Sequence, residues 1–437
     1  MFGLSPAEMS IVVLVIAMVL YITEVIPLAA TAVLSCILLI ILKVVPAKVV
    51  WDGLSSDVNL LIAGMIVVGS GIFESGLAMR VGQKILDVGR GNAFILSLTL
   101  FLVTMILSAF LSNSATTATM LPVALALVAA SHGKLHDKTL LMPMAAAAVT
   151  GGVLTLAGST PQVIVSGVLE KGGYPALSFF EIGKAGAILC VALLLYNFTI
   201  GKFLARKIWG VTPEHGPLMK ELLAKGNNGA EAGAGNGSTS KQIRVSLVLA
   251  LCVGLFIWGK WPLGTVAMIG ALLTVITGCI TEKRTYELMD WRTVMLLGAS
   301  IGFASGFDKS GGGKLLADLV LGYLGDAATP FTIFASITFV AMILTQFMSN
   351  TSCTAMFAPI MLALAKGVGA NPHAMLVGLA LCTNASLSTP VATPPMTIVL
   401  GGGYTFFDYI KWCGPINLIM WVLVLIFVPL LYGGLAM

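Results

Sequence analysis

AFLSNSATTATMLP at 109–122 and QFMSNTSCTAMFAP at 346–359 are two versions of one phrase, set 237 residues apart. Phe110 recurs as Phe347, Ser112 as Ser349, Asn113 as Asn350, Thr117 as Thr354, Ala118 as Ala355 and Pro122 as Pro359, with Ser108 and Thr345 a looser match. An unbroken apolar helix has no use for a Ser-Asn-Ser or Ser-Asn-Thr cluster. Each copy nevertheless lies between long hydrophobic stretches, so both read as polar hinges held at membrane depth.

The surrounding chain supports that placement. Of 437 residues, 58% are hydrophobic and 10% charged, against about 25% charged in an ordinary soluble domain, and the mean hydropathy is +0.99. The expectation is an all-α polytopic membrane protein, because helices satisfy their own backbone groups in lipid. Residues 7–22 lack the basic start of a cleavable signal and run directly into another span, so the first helix is expected to stay in the mature protein. The net charge of +5 is first a topology signal in such a chain, and no nucleic-acid partner is expected. Seven cysteines scattered singly through apolar runs read as packing residues, and the four histidines lack metal-ligand spacing.

Apolar segments near the roughly 20-residue spanning length fall at 7–22, 27–44, 58–75, 140–170 and 176–205. They recur at 242–258, 263–281, 292–308, 373–402 and 407–435. Between the third and fourth of each set come a shorter mixed helix (77–90, 309–325) and a block too long for one crossing (93–131, 329–369), centred on the polar phrase. Each block is expected to be a re-entrant hairpin. Pro27 pairs with Pro262, and Pro161 and Gly167 pair with Pro395 and Gly401, so the duplication runs through almost the whole chain. Five crossings is an odd number, which predicts two repeats of opposite orientation, each with one re-entrant hairpin and one broken helix. If 77–90, 132–139, 202–244, 282–292 and 403–411 are cytoplasmic, 16 of the 24 Lys and Arg lie inside. Both termini are then expected outside. The domains expected are a first repeat over 1–208, a flexible Gly/Asn/Ser-rich linker over 209–241 and a second repeat over 242–437.

The chemistry of the motifs points to an anion and small cations. At a hairpin tip a new helix exposes unpaired N–H groups at the positive end of its dipole, and Ser, Asn and Thr cap such ends. The broken helices, Gly151-Gly152 with 156–161 in the first half and 388–395 in the second, free backbone carbonyls through proline and glycine. Hydroxyl, amide and carbonyl oxygens are hard ligands suited to an alkali cation. Neither motif region contains Arg or Lys, so a dianion there must be balanced by helix termini and bound cations. Glu24, in Thr23-Glu24-Val25-Ile26-Pro27, reads as part of a short structural turn. Paired acids, a His motif within the spans and a GxxxxGK[ST] loop are all lacking, which speaks against an intramembrane enzyme or nucleotide-driven pump.

On these residues, namely Thr23-Glu24-Val25-Ile26-Pro27-Leu28, the two Ser-Asn tips and Pro390-Val391-Ala392-Thr393-Pro394-Pro395, the chain resembles the divalent anion/sodium symporter family, which includes sodium-dicarboxylate and sodium-citrate carriers. The resemblance implies a homodimer in an inner (plasma) membrane, whose protomers each move a transport part (92–208 and 328–437) like an elevator against a scaffold part (1–91 and 242–327). It also implies a small di- or tricarboxylate substrate with Na+ as coupling ion. Carried over by position, one sodium site uses Ser108, Ser112, Asn113 and a carbonyl near Gly158. The second uses Thr345, Asn350 and carbonyls near Met348 and Ala392. The substrate carboxylates meet Ser112, Asn113 and Ser114 on one tip and Ser349, Asn350 and Thr351 on the other, with Thr393 and Pro394 shaping the pocket.

Three departures bear on substrate choice: Ser114 stands where the family usually has Thr, and Pro161-Gln162 and Pro395-Met396 stand where it has Pro-Asn. The family's extra N-terminal helix is expected to be absent. A sodium-independent dicarboxylate exchanger, a sulfate carrier, a sodium/proton antiporter of the same broad superfamily and a channel remain as alternatives to sodium-coupled transport.

Overall fold

A computed structural model describes residues 4–77, 80, 84, 92–131, 133–210, 215–224 and 238–436. The described residues are helical throughout, apart from turns, extended breaks and one isolated bridge between Ala370 and Ala436. The first half runs Pro6–Thr23, Leu28–Ile41, Ala47–Trp51, Asp57–Glu74, Ala93–Ser108, Asn113–Ala130, Asp137–Gly151, Thr160–Lys171 and Gly183–Tyr196, the last continuing through a π turn into Lys202–Trp209. The second half repeats the order: Thr239–Trp258, Leu263–Ile276, Glu282–Leu288, Trp291–Lys309, then Gly312–Leu324, Pro330–Leu344, Asn350–Gly367, Pro372–Asn384, Pro394–Val399 and Phe406–Leu431. The expected helix at 77–90 lies outside the described residues apart from Leu77, Arg80 and Lys84.

Local sequence sets these boundaries. Ser5 and Glu8 form a capping box on the first helix, and Glu24 ends it in a left-handed conformation (φ 47°), exposed and structural. Pro27 and Pro262 stand at matched positions immediately before the second helix of each half, where a fixed φ and a missing donor cost nothing. Those helices, Leu28–Ile41 and Leu263–Ile276, have 14 residues each, roughly 21 Å, and are shorter than the expected spans at 27–44 and 263–281. Left-handed residues terminate both chain turns, Lys43 at φ 53° and Gly278 at φ 71°. Pro6–Thr23, Asp57–Glu74, Gly183–Trp209, Thr239–Trp258 and Phe406–Leu431 are long and apolar enough to cross a membrane. On Phe406–Leu431, Leu418, Val422, Ile426 and Leu430 are exposed at a spacing of four, a stripe that faces lipid.

The two halves interlock by exchange. Asp57–Glu74 packs on Leu263–Ile276, and its counterpart Trp291–Lys309 packs on Leu28–Ile41. Beyond the breaks, Thr160–Lys171 lies against Asn350–Gly367 and Pro372–Asn384, while Pro394–Val399 lies against Asn113–Ala130 and Asp137–Gly151. The core is therefore shared, and all seven cysteines are buried in it as free thiols.

Part of the expected linker over 209–241 is described. Most of 209–241 lies outside the described residues, but Gly216 N–H donates to Asp137 Oδ2 at 2.8 Å, and Pro217–Ala224 forms a helix against the turn Leu400–Gly402. Asp137 is fully buried, and a buried carboxylate holds whatever donors reach it. His215 approaches the same carboxylate at 3.2 Å. At the opposite end of the order, His373 sits 2.9 Å from Glu181 and its hydrogen bond holds that carboxyl down at about 2.

Glycine lets the interlocked helices approach closely. A Cβ on Gly302 would lie 1.9 Å from the Val50 carbonyl, and one on Gly53 would lie 2.2 Å from the Gly298 carbonyl. Gly302→Ala is expected to cost about 1–3 kcal/mol through overpacking and to lower the melting temperature in detergent. Gly254→Ala, where a Cβ meets nothing within 4 Å, is expected to leave that temperature unchanged.

Candidate functional site

Both phrases fold as the tips of helical hairpins. Ala93–Ser108 ends, four residues turn, and Asn113–Ala130 begins with Ser112 as its cap, whose hydroxyl accepts the Ala115 N–H at 3.3 Å. In the second hairpin Ser349 occupies the cap position of Asn350–Gly367 without a side-chain capping bond. The first intrahelical bonds are Thr116 N–H to Ser112 O and Cys353 N–H to Ser349 O, both 2.9 Å. The amides of Asn113 and Ser114, and of Asn350 and Thr351, thus precede the helical ladder and carry the partial positive charge of the two N-termini.

Behind each tip lies a cluster of side-chain and backbone oxygens. Ser108 Oγ is 2.6 Å from the Ala148 carbonyl and 2.7 Å from Asn113 Oδ1. In the second half Thr345 Oγ1 is 2.9 Å from both the Thr383 carbonyl and Asn350 Oδ1. One hydroxyl proton cannot serve two acceptors. The inward edge of the Asn113 carboxamide also lies 3.1 Å from both the Ala148 and Gly158 carbonyls. With its nitrogen inward, the amide's two protons serve Ser108 Oγ and the Gly158 carbonyl while Ser108 donates to Ala148; with its oxygen inward, four oxygens converge, a donor set for an alkali cation. There is no room to relax the cluster, since a Cβ on Gly152 would lie 2.5 Å from Asn113 Oδ1.

The backbone breaks are held by two glutamines. Gln162, fully buried, donates through Nε2 to the Gly152 and Thr155 carbonyls at 2.7 and 3.0 Å and accepts from Asn384 Nδ2 at 2.9 Å. Gln346 donates to the Met342 and Ala385 carbonyls at 2.8 and 2.7 Å, while its Oε1 accepts from the Ser388 N–H at 2.9 Å and Asn417 Nδ2 at 3.2 Å. Two bonds cross between the halves beside the tips: Ser159 Oγ to Asn384 Oδ1, and Thr160 Oγ1 with Thr351 Oγ1, each 2.5 Å.

These parts surround a cavity of about 570 Å³. Ser112, Asn113, Ser114, Ser349, Asn350, Thr351, Thr393 and Pro394 all line it, as do Gly158 and Ala392. Ser108, Thr345 and Met348 lie outside the lining, buried behind it. The structure joins Ser108, Asn113 and the Gly158 carbonyl in one cluster and Thr345 with Asn350 in the other. It places Ser112 at the helix cap, and no hydrogen bond connects the Met348 or Ala392 carbonyls to the second cluster. Asp57–Glu74 and Trp291–Lys309 also contribute to the lining, including Ser70, Phe73, Arg292 and Thr293.

Sequence reasoning missed several of these groups. The Ala148 and Thr383 carbonyls, 235 positions apart like Pro27 and Pro262, have no side-chain signature. Gln346 stood unremarked in the second phrase, and Gln162 was noted only as a departure at Pro161-Gln162. The motifs themselves contain no Arg or Lys, but Arg292 reaches the cavity from a helix outside them.

Comparison with known proteins now has geometry to meet. A family model described as citrate transporter (CitMHS) matches residues 18–375. The chain belongs to the citrate transporter family. It is an integral multi-pass membrane transporter and not an enzyme. Curated relatives include the sodium-dependent dicarboxylate transporter SdcS of Staphylococcus saprophyticus, 26% identical over 88% of this chain and 78% of that one. SdcS of Staphylococcus aureus strain USA300 is 27% identical over 94% and 84%. Among solved structures, MtrF of Neisseria gonorrhoeae superposes with a TM-score of 0.62 at 13% identity, covering 97% of this chain and 95% of MtrF. The Alcanivorax borkumensis YdaH transporter gives 0.61 at 13% identity, covering 88% and 87%. At that identity the likeness is one of fold.

Gln162→Leu keeps much of the volume but strands two buried carbonyls and the Asn384 amide. It is expected to destabilise the protein by about 1–3 kcal/mol, read as a lower midpoint in thermal unfolding.

Proposed function

We propose that this protein is a secondary active transporter of small di- or tricarboxylates of the succinate, malate, fumarate or citrate kind, driven by Na+. The observation that carries the reading is the convergence of two helix N-termini and two oxygen-rich clusters on one cavity. Free N–H groups at the tips receive carboxylates, while the clusters behind them hold cations. A helix terminus supplies only about 0.3–1 kcal/mol, whereas taking a carboxylate out of water costs several. Co-bound cations close that gap, and so the ion gradient becomes the driving force for the anion. The curated relatives include sodium-dependent dicarboxylate transporters, which supports the same chemistry.

In this reading the first cation uses Ser108, Asn113 and the Gly158 carbonyl, with Ala148 added to the set carried over by resemblance and Ser112 at its rim. The second uses Thr345, Asn350 and the Thr383 carbonyl, with the carbonyls of Met348 and Ala392 as the remaining candidates. The halves are inverted repeats. Residues 92–208 and 328–437 form the moving part, bearing both tips and both breaks, and 1–91 and 242–327 form the scaffold of a homodimer. Sliding the moving part as an elevator exposes the cavity to either side in turn. A sodium-independent exchanger is the second reading, favoured by the orientation of Asn113 that satisfies its cluster without an ion.

Uptake of labelled succinate into proteoliposomes separates the two. Saturable uptake that rises with an inward Na+ gradient and is inhibited by malate or citrate is expected. Uptake indifferent to that gradient but dependent on internal succinate means exchange, and no carboxylate uptake at all overturns both. Asn113→Ala and Asn350→Ala are each expected to abolish sodium-stimulated uptake while the protein elutes unchanged in size. Thr351→Ala is expected to raise the half-saturation concentration for succinate more than that for Na+.

A further inference from the structure

Among the described residues, three charged side chains line the cavity: Glu74, Asp290 and Arg292. Two are already engaged. Glu74 Oε1 lies 3.0 Å from Arg284, and Asp290 caps its helix, accepting the Thr293 N–H at 3.0 Å through Oδ1 and the Thr293 hydroxyl at 2.5 Å through Oδ2. Arg292 alone of the three makes no hydrogen bond or ion pair among the described residues. It lines the cavity from Trp291–Lys309, which packs on Leu28–Ile41 and Ala47–Trp51 and also on Thr160–Lys171 and Asn350–Gly367.

A guanidinium presents a planar fork of donors that matches a carboxylate at two points. The tips supply N–H groups but no full positive charge, and Arg292 supplies the charge that they lack. We propose that Arg292 is a substrate-binding residue that pairs with a carboxylate of the substrate from the scaffold side of the cavity. This inference rests on the carboxylate reading above and adds a sidedness to it. Because Arg292 lies on the scaffold and the tips on the moving part, the contact exists only when the cavity faces the side seen here. Residues 282–292 carry Lys283, Arg284 and Arg292, and the bias of basic segments assigns that side to the cytoplasm. Arg292 therefore strengthens binding at the inner face and leaves the outer face untouched.

The test compares the full-length protein in inside-out membrane vesicles and in intact cells, with succinate as the probe. Arg292→Gln is expected to raise the half-saturation concentration roughly fivefold at the inner face, the scale of a partly screened charge contact, with the outer-face value and the Na+ half-saturation unchanged. Arg292→Lys is expected to recover part of the loss. Adding choline chloride is expected to narrow the gap between wild type and Arg292→Gln, because salt screens an exposed pair. Equal half-saturation for wild type and Arg292→Gln at the inner face, or equal shifts at both faces, overturns the inference while leaving carboxylate transport standing. A wild type that transports no carboxylate overturns the transport reading and this inference with it.

Discussion

Backbone carbonyls released inside an apolar core are the constraint on which this architecture depends. Each half interrupts a helix with glycine, proline or both, at 152–159 and at 385–393, and each interruption leaves polar groups where lipid and packed side chains offer no partner. The protein answers with primary amides. Gln162 holds the Gly152 and Thr155 carbonyls, and Gln346 holds Ala385 and the Ser388 amide. A glutamine suits the task because it donates and accepts without carrying a charge that would have to be desolvated. The Ala148, Gly158 and Thr383 carbonyls, which the glutamines do not reach, gather around Asn113 and Asn350, Ala148 accepting from Ser108 and Thr383 from Thr345. Neighbouring peptide groups are thus divided between those held by glutamine and those facing the asparagine clusters.

The same division extends to the anion. Helix Pro394–Val399 begins with two prolines and has no N–H at either position, so it shapes the cavity without attracting a carboxylate. The tip helices begin with Asn-Ser and Asn-Thr and keep their amides free. The partial positive charge of helix N-termini is therefore concentrated at two points of the cavity.

Much of this was legible before any coordinates. The hairpins, the breaks and the duplication showed themselves because Ser, Asn, Gly and Pro are conspicuous in apolar surroundings and recur at a near-constant offset. The lining by Ser112 to Ser114 and Ser349 to Thr351 follows from the same signal. Other parts were invisible for physical reasons. A carbonyl is the same on every residue, so Ala148 and Thr383 leave no trace in a sequence. Arg292 belongs to a helix whose composition speaks only of packing, and its place at the cavity depends on how that helix crosses the tips. The docking of 215–224 depends on a buried carboxylate at Asp137, which reads as an ordinary loop acid until its burial is known.

The exchange of partners between halves also bears on biogenesis. Gln162 accepts from Asn384, 222 residues further along, and Thr160 meets Thr351 191 residues on. At a translation rate of about 5–20 residues per second, the first break waits in the bilayer for roughly 10–45 s before its mate emerges from the ribosome. For that interval the nascent chain holds orphaned amides among lipids. A translocon or holding chaperone that shelters helices until the second half arrives is thus a natural requirement of a protein whose halves complete each other.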